Sequence, residues 1–250
     1  MPNFEQINVE PYPAISEFVD PTLLTGTAFF RASTYLPIVL DRVLADVVPD
    51  ELSSFSMLSV GCSYGAEVDS ALAGFAILDP NLLVTATGVD VNPYVIERAE
   101  GGQYVARLKD EKKIAALCGL IPTISVEGPA AWSNGTEGCI LDTTKLRDRH
   151  DVAFTSSGIE GCEVAEADLI LCNNMLFYVD SDSSKDALVA AMAERLKLGG
   201  ILSFEANPAR MKKQYIDWRQ KIAEGLRDQG IIPILSATNL ELPYAFQKVA

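Results

Sequence analysis

The chain is poor in the residues that hold metals. Among its 250 residues there is one histidine, His150. Its five cysteines, Cys62, Cys118, Cys139, Cys162 and Cys172, never fall at Cys-x-x-Cys spacing. A zinc site of the usual Cys/His kind is therefore not expected, and no metal is assigned. The odd cysteine count points to free thiols in a reducing compartment. Basic residues are also scarce: 20 Lys and Arg stand against 34 Asp and Glu, a net charge of −14. Such a surface repels phosphate backbones and anionic lipid, so neither nucleic acid nor a membrane is expected as partner. No apolar run reaches the length of about 18 residues that a membrane span needs. The first 20 residues carry acids and prolines in place of a basic-then-apolar segment, which predicts no signal peptide and a cytoplasmic location.

What is present is enough for an ordinary core, since 48% of residues are hydrophobic. The length suits one α/β domain with an appended segment. Residues 1–50 are read as an irregular, proline-broken arm followed by a helix over 27–48, kinked or restarted at Pro37. Residues 51–250 are read as the main domain. There, an apolar run at Phe55–Val60 is followed by a glycine turn, Gly61–Gly65, and a helix over Ala66–Leu78. A second run at Leu82–Val89 ends in Asp90, and Pro93 opens another helix. Strand, glycine turn, helix, strand, acid, helix is the opening of a doubly wound parallel sheet.

Further on, residues 124–146 suggest a small hairpin or lid. Val152–Thr155 and Asp168–Cys172 read as strands. Ser183–Leu196 reads as a helix closed by a basic last turn and Gly199-Gly200, before a strand over Ile201–Glu205. A helix over Met211–Gln229 precedes two closing strands, Ile231–Leu235 and Tyr244–Val249.

A glycine turn between strand and helix lets the backbone approach a ligand, and the helix N-terminus there favours a negative group. An acid ending the second strand can accept from ribose hydroxyls. Gly61–Gly65 with Asp90 thus suggests an adenosine-type cofactor. The turn is not Gly-x-Gly-x-x-Gly, which argues against a dinucleotide. Glu67, just inside the helix, would repel a pyrophosphate and suits a cationic ligand with an amino group and a sulfonium, such as S-adenosylmethionine. Plainer readings stand beside these. Glu67 is one of 34 acids, Cys172 a small buried apolar side chain, and His150 structural. Asp180 and Asp182 read as a solvated helix cap, and Trp132, Tyr215 and Trp218 as either pocket wall or packing.

The ordered motifs resemble those of the chemotaxis-receptor (CheR-type) glutamate methyltransferases, a branch of the class I S-adenosylmethionine-dependent methyltransferases. Thr25-Gly26-Thr27-Ala28-Phe29-Phe30-Arg31 is similar to that family's Asn-x-Thr-x-Phe-Phe-Arg entry motif. Gly61-Cys62-Ser63-Tyr64-Gly65-Ala66-Glu67 resembles its Gly-Cys-Ser-Thr-Gly-Glu-Glu loop, and Thr87-Gly88-Val89-Asp90 its Ala-Thr-Asp strand end. The stretch from Asp168 to Val179 resembles Asp-Leu-Ile-Phe-Cys-Arg-Asn-Val-Leu-Ile-Tyr-Phe, and Leu196–Gly200 the Leu-Lys-Pro-Gly-Gly turn.

The resemblance implies a Rossmann-like three-layer sandwich with a seven-stranded, mostly parallel sheet and an antiparallel last strand. It implies S-adenosyl-L-methionine as cofactor and methyl transfer as activity. Thr25, Thr27 and Arg31 would lie near the methionine part, with Arg31 on its carboxylate, and the arm would cover the cofactor. Gly61 belongs to the cofactor loop, Glu67 would take the amino group and Asp90 the ribose. Gly158, Ile159, Cys172 and Asn173 would line the adenine and the methionyl chain, and Tyr178 and Asn173 would stand near the transferable methyl.

Three departures bear on the acceptor. Thr25 stands for Asn, Gly158 for an adenine-contacting Asn, and Asn173 for an Arg beside the methyl. The family's basic N-terminal domain has no counterpart in the 26 residues before Thr27. The expectation is a methyltransferase acting on a small molecule or another non-receptor acceptor. The alternatives are glutamate methylation of a signalling partner and a regulatory protein that binds the cofactor without turnover.

Overall fold

The fold was taken from a computed structural model, which describes residues 9–10, 36–47, 55–107, 119, 121–131, 137–173, 175–179, 181–204, 213–237 and 242–249. The elements in chain order begin with β1 (Val9–Glu10), α1 (Leu36–Asp46), β2 (Phe55–Val60) and α2 (Ala66–Leu78). Next come β3 (Val84–Asp90), α3 (Pro93–Glu100), β4 (Gln103–Arg107), β5 (Ser125–Ala131) and β6 (Glu137–Asp142). A one-turn helix α4 (Thr144–Arg147), β7 (Asp151–Ser156) and β8 (Ala167–Cys172) follow. The chain closes with α5 (Asp182–Arg195), β9 (Leu196–Phe204), α6 (Lys213–Asp228), β10 (Ile231–Ala237) and β11 (Leu242–Lys248).

Seven strands form one sheet in the order β10-β11-β9-β8-β2-β3-β7. Strand β11 pairs antiparallel with both neighbours, and the pairs from β9 to β7 are parallel. The expected seven-stranded, mostly parallel sheet with its reversed last strand is therefore the observed one. The order explains the composition of the central strands. A parallel strand covered on both faces must be apolar throughout, and Ala167–Cys172 is buried at every position. One face packs Phe55 and Met57 against α1, α2 and α3 through Leu40, Val43, Phe75 and Ile96. The other packs Leu58, Ile170 and Leu202 against α5 and α6 through Val189, Met192 and Leu226.

Two local readings change. The helix before β9 ends at Arg195, and the basic, glycine-containing stretch belongs to the strand. Leu196 pairs with Ala167, the chain bulges through residues 197–200, and pairing resumes at Leu169 with Ile201. Gly199 makes that bulge with φ 82°, and Lys197 Nζ anchors it on Asp168 at 2.8 Å. The cap of α5 is Ser181, whose hydroxyl accepts the Ser184 N–H; Asp182 lies inside the first turn and pairs with Lys185.

The middle of the chain forms a second, antiparallel sheet of four strands, β1-β4-β6-β5. The hairpin read from sequence supplies β5 and β6, while β4 and β1 were not foreseen. Its neck is tied at Thr143, whose N–H donates to the Gly102 carbonyl at 2.9 Å and whose hydroxyl oxygen lies 2.9 Å from the same carbonyl. Just beyond the neck, Arg147 meets the fully buried Asp69 of α2 through two bonds of 2.7 Å, and Thr143 Oγ1 donates to the same carboxylate at 2.8 Å. The guanidinium also lies 4.7 Å over the Phe154 ring and donates to the Ala99 carbonyl. This buried cluster joins the neck to α2, α3 and β7. The Thr25, Thr27 and Arg31 assignments lie outside the described residues.

Candidate functional site

The strand order reverses between β2 and β8. The chain steps outward from β2 through β3 to β7, then returns to β8 on the other side. In an open α/β sheet, the crevice outside the carboxyl ends of these strands is where ligands bind. The loops there are Gly61–Gly65 after β2, Asp90–Asn92 after β3, Ser157–Ile159 after β7 and the residues after Cys172 on β8. Gly61, Glu67, Asp90, Gly158, Ile159, Cys172 and Asn173 thus converge on one end of the sheet.

The glycine loop is held by the strand beside it. The N–H groups of Gly61 and Cys62 both donate to the Val89 carbonyl, and Ser63 N–H donates to Asp90 Oδ2 at 3.0 Å. The other Asp90 oxygen accepts the Asn92 N–H at 3.0 Å. Asp90 therefore ties its own turn to the glycine loop. Three residues of the loop have positive φ: Gly61 at 70°, Ser63 at 51° and Gly65 at 79°. The glycines also answer to packing. A Cβ on Gly61 would lie 2.2 Å from Met175 Cγ, and one on Gly65 would lie 2.8 Å from the Phe154 ring. Both are required by neighbouring side chains of this chain, which the glycine pattern alone does not reveal.

Glu67 stands in the first turn of α2, half-buried, where the helix dipole favours its charge. Ser59 Oγ donates to Glu67 Oε2 at 2.7 Å, and Asn173 Nδ2 donates to Glu67 Oε1. So Asn173, expected near the methyl, uses its amide on Glu67. Cys172 is buried below it, and burial, then the Glu67 charge, pushes its thiol well up from the ordinary value. Cys62 is raised in the same direction by burial, then by Asp90 and Glu67. Both stay protonated and apolar in behaviour, which excludes them as nucleophiles at neutral pH.

Tyr178 sits in a short 3-10 turn and is 58% exposed at the rim. Val91 and Tyr94 are exposed beside Asp90. Ile159 is buried, and Gly158 has an ordinary φ of −70°. Sequence reading missed two hydroxyls. Ser59 is fully buried beneath Glu67. Ser157 Oγ, next to Gly158 after β7, is buried with no hydrogen-bond partner. An orphaned hydroxyl at this edge fits the polar rim of a nucleobase, and a carboxylate beside the glycine loop fits an ammonium, so the residues present suit S-adenosylmethionine.

Two residues weighed as site members are structural. Trp218 is buried and donates to Asp186 at 2.7 Å, joining α5 to α6. His150 lies at the opposite end of the sheet, where its Nδ1 accepts the Val84 N–H at 3.3 Å. Trp132 is outside the described residues, as is the side chain of Tyr215. Among the described residues no cluster of His, Cys, Asp and Glu could hold a metal ion, and no helix is long and apolar enough to cross a membrane.

This strand order, with one reversed strand, is the fold of the class I S-adenosylmethionine-dependent methyltransferases. A candidate class I S-adenosylmethionine-dependent methyltransferase from Listeria monocytogenes superposes with a TM-score of 0.51 at 11% identity, over 94% of this chain and 64% of that one. An N-methyltransferase from Bradyrhizobium japonicum in complex with S-adenosyl-L-homocysteine gives 0.46 at 15% identity, over 87% and 88% of the two chains. An S-adenosylmethionine-bound amino pentose methyltransferase of calicheamicin biosynthesis, from Micromonospora echinaspora, gives 0.38 at 18% identity, over 71% and 52%. This chain thus spans about half the length of the last protein and less than two thirds of the first. At these identities the likeness is one of fold. No protein-family model matches the sequence, and no curated protein matches it.

Proposed function

We propose that this chain is an S-adenosylmethionine-dependent methyltransferase acting on a small molecule or another non-receptor acceptor. The observation that carries the reading is the convergence at one sheet end of Asp90, tied to the glycine loop, and Glu67, which accepts from Ser59 and Asn173. The cofactor supplies an already activated methyl on its sulfonium. The protein's work is then to bind, align and exclude water. Asp90 receives the ribose hydroxyls, Glu67 the ammonium, and Ser157 to Ile159 the adenine. Cys172 floors the site with a neutral thiol that cannot compete for the methyl. Thr25, Thr27 and Arg31 complete the methionine end, with Arg31 forking onto the carboxylate.

No histidine stands among the residues at this end of the sheet, so an acceptor that already offers a lone pair suits it best. Tyr178, on the rim, is the side chain we assign to meet the acceptor.

The resemblance to the glutamate methyltransferases gives the alternative acceptor, a carboxylate of a signalling protein. Two observations weigh against it. The net charge of −14 opposes an acidic partner, and Asn173 brings no positive charge to an incoming carboxylate. The test is incubation with methyl-labelled S-adenosylmethionine, beside a panel of small amines, phenols and carboxylic acids and beside receptor cytoplasmic domains. Label in a small molecule supports the reading. Base-labile label on receptor glutamates overturns the acceptor assignment. Tight binding without transfer to any acceptor favours a regulatory protein.

A further inference from the structure

Ser59 lies on the face of β2 that is otherwise apolar. Phe55 and Met57 precede it on that face, and both belong to the core under α1 and α2. A hydroxyl at the third such position is fully buried, and a buried hydroxyl is costly without a partner. Its partner is Glu67 Oε2 at 2.7 Å, the short distance of a hydroxyl donating to an anion. From the other side Asn173, the first residue after β8, donates its amide to Glu67 Oε1. One carboxylate is therefore clamped between two adjacent parallel strands, at the point where the strand order reverses. Neither donor brings charge. Each occupies one oxygen and fixes the rotation of the carboxylate plane.

From this we infer that Ser59 is a positioning residue of the cofactor site. Through Glu67, and together with Asn173, it aims one carboxylate at the ammonium of the bound amino-acid moiety. The inference rests on the cofactor reading above, and assigns how this chain distinguishes the amino-acid end of the ligand from its nucleoside end. A hydroxyl serving only the packing of β2 against α2 would affect every ligand alike. A hydroxyl that aims Glu67 affects only ligands that carry the ammonium.

The experiment compares two probes by calorimetry: S-adenosylhomocysteine, which carries the ammonium, and 5′-methylthioadenosine, which lacks the amino-acid end. Ser59→Ala is expected to weaken S-adenosylhomocysteine about five- to tenfold, leaving methylthioadenosine within about twofold. Ser59→Thr, which keeps the hydroxyl, restores most of the difference between the probes. In a Glu67→Gln background, Ser59→Ala adds no further selective loss, because the charge it aims is gone. Unfolding midpoints of each variant separate damage to the fold from loss of aim. Equal loss of both probes in Ser59→Ala, or an unchanged ratio, overturns the inference and leaves the cofactor reading standing. Failure of the unsubstituted protein to bind either probe overturns both.

Discussion

Removing the Asp69 carboxylate should destabilise this fold strongly. Its side chain is fully buried, and it faces the Arg147 guanidinium through two bonds of 2.7 Å while accepting from Thr143 at 2.8 Å. Asp69→Ala leaves the guanidinium, itself only 10% exposed, beside a cavity in place of its carboxylate. Breaking a buried pair from one side costs about 3–5 kcal/mol, because the remaining charge has lost its compensation. At about 2–4 °C per kcal/mol for a chain of this size, the melting midpoint falls by about 6–20 °C. The double variant Asp69→Leu with Arg147→Met removes both charges and fills the volume, so it should be more stable than Asp69→Ala alone. Urea unfolding followed by circular dichroism reads the free energy, with the slope reporting whether the unfolding unit has changed, and thermal unfolding reads the melting midpoint. An Asp69→Ala midpoint within about 1 °C of the parent would refute the argument, as would a double variant less stable than the single.

Asp90→Ala should weaken S-adenosylhomocysteine by about 1–3 kcal/mol, because it loses both a ribose acceptor and the bond to Ser63 N–H; Asp182→Ala, on an exposed first turn, should leave calorimetric affinity unchanged. Gly65→Ala should destabilise the fold by about 1–3 kcal/mol in thermal unfolding, since φ is 79° and the new methyl meets the Phe154 ring. His150 carries a pH dependence. Burial first, and the neighbouring Arg149 second, hold its folded value below the ordinary 6.5. Its contribution is present above about pH 6.5 and lost as pH falls through the lower folded value, when protonation ends the bond from Val84 N–H. Unfolding midpoints between about pH 5 and 8 should show this slope in the parent and a flatter one in His150→Asn.

The sheet was legible because its central strands are buried on both faces and must be apolar along their length, as Ala167–Cys172 is. Strand β4 was not legible. Gln103–Arg107 mixes polar and apolar residues, and its partners, Glu10 and Asp142 among them, lie far away in sequence. The bulge in β9 was read as a helix end because a basic residue followed by Gly-Gly signals both, and only the pairing of Leu196 with Ala167 decides. At the site, Gly61–Gly65, Glu67 and Asp90 were readable from their place after strands. The clamp on Glu67 was not, since Ser59 reads as a small residue in an apolar run. Its only signal is polarity on the face shared with Phe55 and Met57. The Asp69–Arg147 pair spans 78 positions, beyond any local pattern.

Cofactor binding at the carboxyl end of the sheet is tested most directly by one calorimetric titration. S-adenosylhomocysteine titrated into the folded protein should give a single saturable site. A hundredfold excess over Kd should raise the protein's stability by about 2.7 kcal/mol through mass action. A protein that is folded by circular dichroism yet gives neither binding heat nor a shift in unfolding midpoint, at millimolar S-adenosylhomocysteine or S-adenosylmethionine, would contradict the account.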